Sequence, residues 1–257
     1  MTPRLVALTV LTMLAFAANS VLNRAAVGGG LIAALDFAHV RLLSGALTLT
    51  GLVLLRRVIR GGTVWPGWPG RATGALSLLT YLFGFSFAYV ALDTGVGALI
   101  LFGTVQITMF AGALLAGETL PRRRYLGAGL AFAGLAALLW PAGGHWAVSP
   151  LHAAAMALAG IGWGVYSLVG RGARDPLATA AANFTLGAPL AVVGLLLALF
   201  GSHGTLAPTG LILATISGAV TSGLGYALWY AILPALGASR AAAAQLSKFR
   251  SSHWSPV

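Results

Sequence analysis

Helix-length apolar runs follow one another along almost the whole chain, separated by short polar gaps. They cover Leu5–Leu22, Leu31–Leu55, Gly74–Leu92, Gly95–Ala116, Tyr125–Trp140, Leu151–Val169, Leu177–Phe200 and Pro208–Leu233, and a ninth begins at Gly237 and stops short. A bilayer core takes about 20 apolar residues per helix. Helix also lets each crossing satisfy its own backbone amides where there is no water. The runs therefore predict an all-α polytopic membrane helix bundle, with eight full transmembrane helices and a truncated ninth. Hydrophobic residues are 58% of the chain and charged residues 7%, whereas a soluble domain carries roughly 25% charged residues.

The few charges are ordered. Arg4, the group Arg56, Arg57, Arg60 and Arg71, the triplet Arg122 to Arg124, the pair Arg171 and Arg174, and Arg240 occupy alternate gaps. The other gaps hold only Arg24, while Arg41 lies inside a span and Lys248 and Arg250 lie in the tail. Cytoplasmic loops of membrane proteins are enriched in Lys and Arg, so the amino terminus is expected in the cytoplasm and the chain in the inner (plasma) membrane. The same rule accounts for the net charge of +11 without nucleic acid, for which no basic face or aromatic motif is present. No cysteine occurs, which excludes disulfide and thiol chemistry. The first span lacks a small-residue cleavage site and reads as a retained helix.

The halves echo one another. Ser20-Val21-Leu22-Asn23-Arg24 near the end of the first span parallels Ser167-Leu168-Val169-Gly170-Arg171 near the end of the sixth. Gly84 with Tyr89 in the third span parallels Gly225 with Tyr230 in the eighth. A repeat five spans long reverses orientation between copies, as in transporters that alternate access around a site between the halves. The expected organisation is a first five-helix repeat over 1–140, an incomplete second over 151–247, and an atypical polar tail over 248–257.

A more specific stretch runs Ala113-Leu114-Leu115-Ala116-Gly117-Glu118-Thr119-Leu120-Pro121, then Arg122 to Arg124, then Tyr125-Leu126-Gly127-Ala128-Gly129-Leu130 and Gly134. It resembles the signature of EamA-type transporters of the drug/metabolite transporter superfamily, in which an apolar helix ends in Gly-Glu, a basic turn follows and a Gly-rich helix returns. Arg41 also matches a recurrent arginine of that family. The resemblance implies ten helices in two inverted five-helix repeats around a central cavity that exports small metabolites, often amino acids. Gln106 stands where the family usually has proline. The second Gly-Glu turn and the tenth helix are missing, and the run from Gly237 to Ser247 gives way abruptly to Lys248-Phe249-Arg250, as a frameshifted or truncated frame would. A real short anchor is the other reading of that tail.

Asp36, His39 and Arg41 lie inside the second span, where ionisable groups are costly and usually face the bundle interior. They read as a substrate-carboxylate or gating site. Alternatively Arg41 is neutralised by Asp36 or snorkels to the outer interface, and His39 is a candidate proton carrier. Glu118 reads as an ion-pair anchor or a cytoplasmic gate. Aromatic side chains recur at helical spacing: Tyr81 and Phe85 in the third span, Trp163 and Tyr166 in the sixth, and Tyr226, Trp229 and Tyr230 in the eighth. These are interfacial belts or packing, or the lining of a cavity on which Tyr81, Trp163 and Tyr226 converge. Asn19, Gln106, Asn183 and Ser222 are polar and mid-span, as interhelical hydrogen bonding requires. The resemblance makes Asn19 and Gln106 cavity candidates, because the first and fourth helices face the centre in that family.

No catalytic motif, metal-ligand set or phosphate loop is present, so an enzyme is not expected and neither a cofactor nor a metal is called for. The reading is a membrane transporter that exports a small organic metabolite such as an amino acid, by alternating access, with the substrate and the lipid bilayer as partners. A membrane scaffold or binding protein that transports nothing, and a non-functional transporter fragment, remain alternatives.

Overall fold

In the computed structural model, the described residues are 2–62, 64–118, 122–139, 148–200 and 206–236. They form eight helical segments at the places where the apolar runs lie. These are α1 (Pro3–Gly28), α2 (Ala34–Arg60), α3 (Arg71–Ala88), α4 (Thr94–Leu115), α5 (Arg122–Leu139), α6 (Pro150–Gly170), α7 (Pro176–Phe200) and α8 (Pro208–Leu236). Six of them, α1, α2, α4, α6, α7 and α8, are long and apolar enough to cross a membrane. The expected ninth run from Gly237, the tail to Val257, the turn Thr119 to Pro121 and Trp140 lie outside the described residues.

Local chemistry sets the helix starts. Thr2 caps α1, its hydroxyl accepting from the Leu5 amide at 3.3 Å, and Pro3 opens the helix where no amide partner is needed. Asp175 does the same for α7 by accepting from the Ala178 amide at 3.0 Å, a placement the helix dipole also favours. The ends shift where tertiary contacts claim the backbone. α2 starts at Ala34 rather than Leu31 because the Leu31 carbonyl accepts from the Ala207 amide, beside an isolated antiparallel bridge between Ile32 and Leu206. α3 stops at Ala88, and the Arg24 guanidinium donates to the carbonyls of Tyr89 and Val90 just beyond it, at 3.0 and 3.2 Å.

Two segments are π-helical: Arg24–Gly28 at the end of α1, and Ser217–Leu224 in the middle of α8. The wider winding at Ser217–Leu224 turns a row of small polar residues toward α1 and α2. Such segments are rare and recur at functional sites.

The distribution of side chains is that of a membrane-embedded bundle. Leu115, Phe200 and Val58 stand 91%, 88% and 84% exposed on the outer surface, while Thr12, Asn19, Asn23, Arg41, Ser86, Asn183 and Ser222 are buried. Water would penalise that outer surface; hydrocarbon does not. The most extensive packing joins α3 to α6, α2 to α7, α4 to α6, and α2 to the π segment of α8. Glycine permits the contacts of α2 with the π segment of α8 and with α7. A Cβ on Gly218 would strike Ser44 Oγ and the Arg41 carbonyl, and one on Gly45 would meet the Phe184 ring.

Polar pairs sort to two ends. At the arginine-rich end, Arg56 makes a two-pronged bond to the Asp175 carboxylate, at 2.9 and 2.5 Å, and Arg171 meets Glu118 at 2.6 Å. At the opposite end Arg24 lies 3.4 Å from Asp93.

Candidate functional site

The centre of the bundle is built on Arg41. Its side chain is 0% exposed, and its partners are hydroxyls from two other helices. Nε donates to Ser222 Oγ at 2.8 Å, and Nη2 donates to the Tyr81 and Tyr226 hydroxyls at 3.0 and 2.7 Å. Nη1 is buried and makes no hydrogen bond among the described residues. The guanidinium carbon sits 5.2 Å from the Tyr81 ring centre and 5.0 Å from that of Phe85, within cation–π range. Asp36 is buried on the same helix but is not a partner of Arg41. Five residues along a helix put two side chains on different faces, since only the third and fourth neighbours face each other. The expected Asp36–Arg41 neutralisation is therefore not formed.

Asn19 closes the cluster from α1. Its amide donates to the Tyr81 hydroxyl at 3.1 Å, and its carbonyl accepts from Ser217 at 2.6 Å and Thr221 at 3.0 Å. The π segment of α8 thus supplies Ser217 and Thr221 to Asn19 and Ser222 to Arg41.

Aromatic rings fill the space beside these groups. Tyr81, Trp163 and Tyr226 are mutually in contact, with centroids 5.0, 6.1 and 4.5 Å apart. Phe16 packs edge-on against Trp163, Tyr226 and Trp229. The Trp229 indole donates to Ser167 Oγ at 2.9 Å. Phe16, Tyr81, Phe85, Leu101, Phe102 and Trp163 line a small void of about 10 Å³, room for roughly one water molecule.

A second polar chain runs from this cluster to the arginine-rich end. Tyr230 stacks on Tyr166 at 4.7 Å and donates to its carbonyl at 3.0 Å. Asn183 donates to the Tyr230 hydroxyl at 3.5 Å and accepts from Arg71 at 2.9 Å. Arg71 is buried and borders an open vestibule of about 510 Å³ that is also lined by Trp65, Pro66, Arg174, Asp175 and Thr179. At that mouth the Arg56 guanidinium holds the Asp175 carboxyl below its ordinary value.

The remaining residues singled out in the sequence lie elsewhere. His39 packs edge-on against Phe83 at 5.0 Å, its Nδ1 buried without a partner. A Cβ on Gly194 would strike its ring, so His39 sits between α3 and α7 and not on Arg41. Gln106 is half-buried on α4 and takes no part in the network. Glu118 is engaged by Arg171. Phe16, Ser217, Thr221, Ser167 and Arg71 belong to the site without having been singled out. A signal for Phe16 was available: Thr12, Phe16, Asn19 and Asn23 recur at helical spacing and form the buried face of α1.

No family model matches the chain. The chain is 47% identical over 247 residues to the uncharacterized protein PA1977 of Pseudomonas aeruginosa, an alignment that covers 95% of this chain and 82% of that protein. The chain belongs to the family of PA1977. A solved structure described only as "Crystal structure of protein" matches with a TM-score of 0.61, covering 93% of this chain and 86% of that one at 19% identity. At that identity the likeness shows a shared fold alone.

Proposed function

We propose that this member of the PA1977 family is an EamA-type transporter that carries a small organic metabolite across the inner membrane, outward, by alternating access. The observation that carries the reading is a fully buried guanidinium held by hydroxyls from α3 and α8 inside an aromatic cluster. An intramembrane arginine is expensive, and those retained usually pair with another group or mark a substrate or ion path. Among the described residues Arg41 has no carboxylate partner, which favours the second role.

Inverted-repeat architecture is part of the proposal. Aligning Ser20 with Ser167 pairs Phe16 with Trp163, and aligning Gly84 with Gly225 pairs Phe85 with Tyr226. Phe16 and Trp163 touch at 5.1 Å, as equivalent residues near a pseudo-two-fold axis would. α2 and α7, equivalent under the same repeat, also pack on one another. Positive charge at the end that carries Arg56, Arg71, Arg171 and Arg174 makes that end cytoplasmic, and the vestibule beside Arg71 becomes the entry.

A non-transporting scaffold is the second reading, favoured by how little space the central void leaves. Flux separates the two. Proteoliposomes loaded with candidate organic acids, amino acids and aromatic metabolites should show saturable, protein-dependent efflux of at least one class. Efflux no faster than from protein-free liposomes across all classes would leave the scaffold.

A further inference from the structure

We infer that the central site takes a small organic anion, a carboxylate on an aromatic or other apolar body, and that Arg41 Nη1 is its anchor. The inference deepens the transport reading and rests on it. Arg41 is enclosed completely, and its described hydrogen-bond partners, Ser222, Tyr81 and Tyr226, are all neutral hydroxyls. Hydroxyls orient a guanidinium but do not cancel its charge. A buried charge with no counter-charge is costly, and Nη1 is the donor left without any acceptor. A carboxylate answers both deficits at once, because guanidinium and carboxylate match in charge and in planar fork geometry.

The surroundings select the rest of the molecule. Tyr81 and Phe85 carry the guanidinium against their faces and also line the void with Phe16, Leu101, Phe102 and Trp163. A carboxylate on Arg41 would therefore have its body among rings, which accept aromatic or branched apolar groups. An aromatic cage can also hold a cation. Here Arg41 already occupies two of the ring faces, and a second positive charge would be repelled. Among the described residues no carboxylate lines the void to receive an ammonium group. The void holds about 10 Å³, so the ligand enters only when the rings separate. In the closed arrangement Ser222 and the two tyrosine hydroxyls hold the guanidinium in place.

Binding, measured separately from flux, tests this. The purified full chain in nanodiscs of zwitterionic lipid is titrated with phenylacetate, benzyl alcohol and phenethylamine, which share a ring and differ in charge, and heat and tryptophan fluorescence are followed. Phenylacetate should bind saturably and at least tenfold more tightly than either of the others. Arg41→Gln should abolish that preference. Arg41→Lys should keep the preference with weaker binding, since it retains the charge and loses the fork. Thr104→Val, which removes a buried hydroxyl outside the Arg41 cluster, should bind phenylacetate within about threefold of the native chain. If Arg41→Gln does not fold, the ligand ranking in the native chain and the Lys variant decides. Equal binding of the three probes, preference for phenethylamine, no saturable binding of phenylacetate, or an anion preference that survives Arg41→Gln would each overturn the inference. Anion-selective binding without flux would keep the anion site and remove the transport reading. Flux of neutral or cationic compounds with no anion preference would do the reverse.

Discussion

At the scale of single residues, hydroxyls do most of the work in this bundle. Tyr81 accepts from both Arg41 and Asn19, so Tyr81→Phe strips two donors of an acceptor at once. Interhelical hydrogen bonds in membranes average roughly 0.6 kcal/mol and reach about 1.7 kcal/mol. We expect Tyr81→Phe to lower stability by about 1–2 kcal/mol in detergent melts. Thr104→Val is the control, because the Thr104 hydroxyl is buried without a partner, and replacing it by a methyl group should cost nothing or stabilise. A second residue-level expectation concerns acid. Asp175 is held below its ordinary value of 3.8, chiefly by its bond to Arg56. A depressed carboxylate contributes stability that is present above its unfolded pKa and lost as pH falls through the folded one. The native chain should therefore lose stability more steeply than Asp175→Asn as pH falls below about 4. The difference at neutral pH should be on the order of 1 kcal/mol, because the pair is partly exposed. Parallel melting curves would contradict the pairing.

At the scale of the helix, the π segment of α8 is the element on which the site depends. It carries Ser217, Thr221 and Ser222 to their partners, and it approaches α2 through Gly218. Gly218→Ala should destabilise by about 1–3 kcal/mol, the usual penalty of overpacking a filled interior, and should weaken the Arg41 site with it. Gly95→Ala, where a Cβ meets open space, should be near neutral. Melting temperatures of the two variants give the comparison. The runs of apolar residues made the helices legible, and their ends fell within a few residues of the observed ones. Some differences lie where a backbone carbonyl is claimed from outside, as by Arg24 at Tyr89 and Val90, whereas α1 runs past Leu22 through its π-helical turn to Gly28 and α2 runs past Leu55 to Arg60. The π winding left no trace in composition. Neither did the partner of Arg41, because sequence shows what shares a helix with it, such as Asp36, but not that Tyr81 and Tyr226 arrive from other helices. Gln106 stood out as polar among apolar neighbours, but polarity alone did not place it in the network.

At the scale of the whole molecule, the described residues put most of the loop arginines at one end. The end with Arg56, Arg71, Arg171 and Arg174 holds the vestibule, and the proposed orientation, which rests on the positive-inside rule, puts it in the cytoplasm. The chain has no cysteine of its own, so single cysteines report topology cleanly. Arg60→Cys should resist an impermeant thiol reagent in intact cells and react after permeabilisation, whereas Gly95→Cys should react in both. The opposite pattern would invert the orientation.

The central claim is that the ring cluster is a path opened to each end in turn, not a permanent core. Phe102 lines the central void and is half-buried. The most direct test is the reactivity of Phe102→Cys toward an impermeant thiol reagent applied to one face at a time, in right-side-out and inside-out vesicles. If the account holds, the cysteine reacts from both faces, and a bound organic anion slows both reactions. A cysteine that stays unreactive from either face, at rates no greater than in the detergent-free folded core of a Leu78→Cys control, would contradict it.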